Sequence, residues 1–236
     1  MLFLLALLAA LAAAPPADLV TAADDDLDED VRMAAFERLV QHGANEVASI
    51  RDAALSPETP ARQRWVAVRA LGRIRGTDAR ATIVTLMADD MPAMRAAAVS
   101  AAGDLNDKTL APKVAELLSD PAIMVRSAAA EALGKLRDPR TIPALDKALA
   151  DPSNHYRGTS LWVRKHYVDA LGAIRDKKAL PTLLRCLDDH DDTVVVATTD
   201  ALENIAGFSM ADGRDATQER EAWRRWVTTE LRTNPP

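Results

Sequence analysis

A chain of 236 residues with 48% hydrophobic residues, only 4% aromatics and nine glycines leans toward helix over sheet. Alanine and leucine favour helices, and the aromatic and β-branched residues that suit strands are thinly represented. The formal net charge of −6 argues against a nucleic-acid partner, whose phosphates require a basic face, and the single cysteine, Cys186, excludes an intramolecular disulfide.

The chain opens with MLFLLALLAALAAAPPADLV, an apolar run from Leu2 to Leu11 followed by small residues. Ala-x-Ala sites end at Ala12 and Ala14, so residues 1–14 read as a secretory signal peptide, although no lysine or arginine precedes the run. Ala12 is the better site because proline follows Ala14. The run is too short, and too soon broken by Pro15 and Pro16, to span a membrane. No stable span is expected after cleavage. The expected location is export to a periplasmic or extracellular compartment; the alternative is a cytoplasmic chain whose apolar start is an ordinary helix. Residues 15–25 read as an acidic linker.

From residue 26 onward the sequence repeats itself. VRMAAFERL from Val31, QRWVAVRALGRI from Gln63 and MRAAAVSAAGDL from Met94 align with VRSAAAEALGKL from Val125, VRKHYVDALGAI from Val163 and VVATTDALENI from Val195. Arginines recur at 32, 64, 95, 126 and 164, and Val195 fills the sixth slot. Each unit reads as two helices. Val125, Ala129, Ala132, Leu133 and Leu136 show the helical spacing of the first. A glycine stands eight residues after the arginine at Gly72, Gly103, Gly134 and Gly172, where it is expected to permit a turn and close packing. Pro112, Pro143 and Pro181 open the second helix, a position where the missing N–H costs nothing. Such a short hairpin cannot bury its apolar face alone and must stack on its neighbours. The expected fold is all-α: a right-handed α-solenoid of about six helical hairpins over residues 26–206. A loop and C-terminal capping helix over 207–236 would close it, with Trp223 and Trp226 on one helix face.

The segment DPAIMVRSAAAEALGKLRDPRTIPALDKALAD, from Asp120, resembles the HEAT-like repeat of the phycobilisome-lyase type, and the likeness extends over residues 26–206. The tail AWRRWVTTELR resembles the closing helix of exported bacterial HEAT-repeat proteins. The resemblance implies the solenoid and leaves function open, since the family includes scaffolds, bilin lyases and a di-iron hydroxylase of deoxyhypusine. That hydroxylase holds iron with His-Glu pairs. Here His42, His155, His166 and His190 are followed by Gly43, Tyr156, Tyr167 and Asp191, so the resemblance does not carry an iron site.

Aspartates stand six residues before a repeat arginine (or Val195) at Asp26, Asp89, Asp120 and Asp189, and a longer interval displaces the one at Asp151. Arg32, Arg64, Arg95, Arg126 and Arg164 with Asp89, Asp120 and Asp189 are expected to form a structural ladder, each arginine bonding loop carbonyls and a neighbouring repeat's aspartate. The acidic clusters at 24–30 and 188–192 lack the central glycine and distal glutamate of a calcium loop. No phosphate loop, nucleophile elbow or zinc spacing is present. No catalytic residue, metal or cofactor is therefore expected, and Cys186, aligned with Ala148, reads as a core thiol.

One stretch departs from the pattern. The interval from Arg126 to Arg164 is 38 residues against 31 on either side, which inserts seven residues, Ser153 to Thr159. NHYRGTSLWVRKHY, residues 154–167, holds both tyrosines and two of the four histidines. His166 and Tyr167 stand where other repeats carry residues such as Ala97 and Ala98. Asn154, His155, Tyr156, Arg157, Trp162, His166 and Tyr167 form the candidate binding set, with Tyr156, Trp162 and Tyr167 as anchors; aromatic and arginine side chains on supported loops dominate interfaces. The competing expectation is that Tyr167 and His166 only fill space beneath the loop. The expected function is a non-enzymatic scaffold or adaptor whose partner is another protein, bound on the concave surface or at the insertion. The alternative is a cofactor- or metal-handling enzyme, or a lyase-like protein, of the same repeat family.

Overall fold

The protein is described by a computed structural model covering residues 14–157 and 159–234, so the signal-peptide reading of 1–14 falls almost wholly outside the described residues. One compact unit ends at Leu105 and a second begins at Asn106. The first unit holds α1 (Ala17–Ala22), α2 (Glu29–Leu55), α3 (Ala61–Ile74), α4 (Thr77–Leu86) and α5 (Pro92–Leu105). The second holds α6 (Ala111–Glu116), α7 (Ile123–Leu136), α8 (Ile142–Ala150), α9 (Val163–Ile174), α10 (Leu180–Cys186), α11 (Asp192–Ala206) and α12 (Ala216–Thr233). A two-stranded hairpin, β1 (His155–Tyr156) with β2 (Thr159–Ser160), stands between α8 and α9. Among the described residues no helix is long and apolar enough to cross a membrane.

Like helices stack on like. In the first unit α3 packs on α5, and in the second α7 packs on α9 and α9 on α11, while α4, α8 and α10 lie against the first helix of the following repeat. This layering is the all-α solenoid. Alanine makes it possible: Ala129, Ala130 and Ala132 of α7 are at most 1% exposed, and small side chains let helix backbones approach closely. The second helices begin as the prolines predict, with Pro112, Pro143 and Pro181 in the first turn. A short 3-10 turn precedes each, capped by Asp107, Asp138 or Asp176, whose carboxylate accepts the N–H two residues on.

Two stretches differ from the sequence expectation. Part of the region read as a linker at 15–25 is helical, because Leu19 and Ala22 bury themselves in packing α1 on α2. The first repeat is one continuous 27-residue helix, α2, where a hairpin is expected. Nothing between Leu39 and Ala48 caps or breaks it, and Gly43 lies inside the helix where Ile74 approaches. A Cβ there would sit 2.3 Å from Ile74 Cδ1.

The repeat glycines also act differently from the turn expected of them. Gly72, Gly134 and Gly172 lie within helices, and the chain reverses three residues later through Arg75, Arg137 and Arg175, whose φ angles are 67°, 51° and 59°. The glycines serve close approach. A Cβ on Gly172 would lie 2.7 Å from Ala201 Cα, whereas one on Gly134 would first meet Ala173 Cβ at 3.3 Å. Gly172→Ala is therefore expected to destabilise the protein by about 1–3 kcal/mol, the cost of forcing α9 from α11. That overcomes the roughly 1 kcal/mol that alanine gains in helix propensity. Gly134→Ala is expected to be close to neutral, and urea unfolding of the two variants checks the contrast.

Candidate binding site at the inserted hairpin

The inserted residues leave α8 through a 3-10 turn, Pro152–Asn154, in which Asp151 accepts the N–H of Ser153 at 2.8 Å. The chain then pairs His155 with Ser160 and Tyr156 with Thr159. Arg157, with φ 52°, starts the reversal between the strands. Leu161 N–H donates to Asn154 O at 2.9 Å and closes the base of the loop.

Burial divides the seven candidate residues. Asn154 is 1% exposed and Tyr167 fully buried. The Tyr167 hydroxyl donates to Asn154 Oδ1 at 3.4 Å, while Asn154 Nδ2 donates to Ala148 O at 2.8 Å. These two residues moor the hairpin to α8 and α9 and cannot touch a partner, which corrects their place among the binding candidates. The bulk of Tyr167, anomalous beside the alanines of other repeats, fills the space the insertion creates. Burial pushes its phenol above the ordinary value, opposed by the Arg126 guanidinium beside it.

The remaining five lie at the surface. Tyr156 is 62% and Trp162 53% exposed. The Arg157 guanidinium lies 5.3 Å from the Tyr156 ring centroid. His166, half-buried, meets Trp162 edge to face at 5.1 Å, with its Nδ1 3.5 Å from Glu131 Oε1. His155 lines a cleft of about 610 Å³ with Ser160, Arg164, Asp189 and His190. Helical periodicity had not pointed to His190, which only the folded loop brings opposite His155.

The charged groups around this cleft are largely committed to structure. Arg164 donates to both carboxylate oxygens of Asp189, at 3.1 and 2.5 Å, to Ser160 Oγ at 3.0 Å and to Leu149 O at 3.3 Å. Arg64 repeats the arrangement with Asp89 at 2.6 Å and Ala54 O at 3.1 Å. Arg95 and Arg126 reach the carbonyls of Asp89 and Asp120, each at 2.9 Å. Arg32 differs: it pairs with Asp25 at 2.8 Å, while the backbone N–H of Asp26 turns back to Asp24. Asp191 caps α11 through Thr193, and Asp188 is forked by Arg224 of α12. Among the described residues no cluster of three or more acidic, histidine or cysteine side chains is placed to hold a metal ion. Cys186 is buried, and burial first, then the Asp189 charge, push its thiol to about 11. It remains protonated at neutral pH and a poor nucleophile.

At the C-terminal end Trp223 is fully buried, stacked on Phe208 at 5.7 Å and edge to face with Trp226 at 5.6 Å. The capping helix packs on α10 and α11, and Lys177 forms an ion pair with Glu230 on it.

The family model for HEAT repeats matches residues 53–122 and 86–162, and that for the PBS lyase HEAT-like repeat matches residues 163–189. No curated protein sequence matches the chain. YibA of Escherichia coli, a solved structure, is 18% identical with a TM-score of 0.59, covering 91% of this chain and 74% of that one. A Kap121p mutant is 16% identical with a TM-score of 0.58, and the likeness covers 93% of this chain but 26% of that one. A designed armadillo repeat protein in complex with the peptide (KR)4 is 17% identical with a TM-score of 0.50, covering 79% of this chain and 98% of that one. At such identities these likenesses show the fold alone. The two family models together take in more than half of the sequence, and with the stacked hairpins and the arginine ladder they establish that this chain belongs to the HEAT-repeat family.

Proposed function

We propose that the protein is a non-enzymatic scaffold that binds another protein through the hairpin inserted between α8 and α9. The observation that carries this is the exposure of Tyr156 and Trp162 on a loop whose base is pinned by buried Asn154 and Tyr167. An exposed aromatic normally loses conformational freedom on binding, and a moored loop reduces that cost. Arg157 beside the Tyr156 ring adds fixed donors. The designed armadillo protein in complex with (KR)4 lends the reading a precedent in a similar fold, without specifying this partner. The apolar N-terminus supports export as the setting in which the partner is met.

The test is affinity capture from the envelope fraction of the native host, using the wild-type protein and a variant with Tyr156→Ala, Arg157→Ala and Trp162→Ala. These side chains are exposed, so matched melting curves are expected. A partner held by wild type should be lost by the variant, with affinity falling by about a hundredfold or more if two hot-spot side chains are removed. Undiminished capture would move recognition away from the hairpin. Sequencing the N-terminus of the mature protein tests export separately.

A further inference from the structure

A cleft of about 350 Å³ lies in the first unit between α2 and α3. Trp65 lines it, flanked by two guanidinium groups: Arg62 Cζ is 4.9 Å and Arg69 Cζ 5.2 Å from the ring centroid. Arg73 lies 5.9 Å from the Phe36 centroid and forks Glu37 at 3.0 and 3.3 Å. Arg32 and Arg62 share one carboxylate, that of Asp25, at 2.8 and 3.4 Å. Arg69 has no carboxylate partner among the described residues, and its buried Nε, like that of Arg32, makes no hydrogen bond there. Met33, 55% exposed, forms an apolar rim.

This is an unusual concentration of guanidinium in a chain of net charge −6. An arginine stacked on an indole face is held flat, with its edge donors free to grip a planar anion in two places. Asp25 already shows the chemistry the cleft accepts: it is an exposed carboxylate from an acidic loop, held by two of the arginines. The apolar rim beside the indole suits an amino-acid side chain next to the carboxylate, which a polyphosphate does not carry.

We propose that this cleft receives an acidic, extended segment of a partner protein. One carboxylate is forked by Arg69, a second displaces Asp25 from Arg62, and an apolar neighbour packs against Trp65 and Met33. The site goes beyond the reading of the inserted hairpin and does not depend on it.

The experiment is selection of a random peptide library displayed on phage against the full chain, followed by calorimetric titration of the enriched peptides. The expected peptides place aspartate or glutamate beside a large apolar residue. Their affinity should fall about tenfold or more on Arg69→Gln or Trp65→Leu, and stay level on Tyr156→Ala with Trp162→Ala. Asp25→Asn should raise affinity several-fold by removing the internal competitor, a gain that damaged folding cannot produce. Failure to enrich any peptide, enrichment of non-acidic peptides, or affinity untouched by Arg69→Gln would overturn the proposal. Loss confined to the Tyr156 and Trp162 variant would overturn it too, while supporting recognition at the hairpin.

Discussion

Arg164→Ala is expected to cost about 3–5 kcal/mol of stability, the range for breaking a buried ion pair by removing one partner. The Arg164 side chain is 9% and Asp189 15% exposed, so little water reaches the carboxylate that the substitution would strand. The same guanidinium also serves Leu149 O and Ser160 Oγ, and so ties α8 and β2 to the loop before α11. Several acceptors are orphaned at once, which places the loss above that of a surface pair, worth about 0–1 kcal/mol. Acid should produce part of the same effect. Burial raises the Asp189 carboxyl, but the bonds from Arg164 and from Asp191 N–H prevail and hold it below the ordinary value. A carboxyl depressed in the folded state contributes stability above its unfolded pKa of about 3.9, and that contribution is lost as pH falls through the lower folded value. Wild type should therefore weaken below about pH 4 more steeply than Arg164→Ala, which has already lost this linkage. Urea unfolding at neutral and acid pH measures both limbs; a neutral-pH loss below about 1 kcal/mol would reduce the rung to a surface-type pair.

The ladder shows what the sequence disclosed and what it concealed. The arginine period identified the stacked hairpins because a solenoid must reuse the same contact at every layer. Asp89 and Asp120 stand six residues before Arg95 and Arg126, and Asp189 six before Val195, but that spacing is not the rule behind them. Asp89, Asp120, Asp151 and Asp189 each accept the N–H two residues on, and each lies 25 residues after an arginine of the preceding repeat. In that register Asp151 is in place and the insertion follows it. Composition marked residues 154–167 as foreign, yet could not separate Tyr167 from Tyr156, because which ring is buried depends on how the hairpin folds over α9. The unbroken α2 was hidden for a similar reason: Gly43 admits Ile74 of the next helix, a contact distant in sequence. The grouping of Arg62 and Arg69 about Trp65 was open to reading, since residues three before and four after share its helix face.

Tyr167→Ala is expected to cost about 3–5 kcal/mol, as for other large aromatics removed from a core. Tyr156→Ala, only eleven residues earlier, should change stability by no more than about 0.5 kcal/mol. The two tyrosines differ in what the insertion does with them. Tyr167 carries its hydroxyl to Asn154, and Asn154 carries the connection on to the end of α8, so deleting the ring opens a cavity and frees the base of the hairpin together. Tyr167→Phe separates these effects: it keeps the packing and removes one donor, for about 1 kcal/mol. Amide exchange at Leu161, whose N–H bonds Asn154 O, should accelerate in Tyr167→Ala and stay slow in Tyr156→Ala. Partner capture should fail in both, in the first because Tyr156 and Trp162 are no longer held in place and in the second because an anchor is missing. If Tyr167→Ala leaves both Leu161 exchange and stability unchanged, the hairpin is held by its strand pairing alone, and the rigidity that supports the recognition role is lost with that mooring.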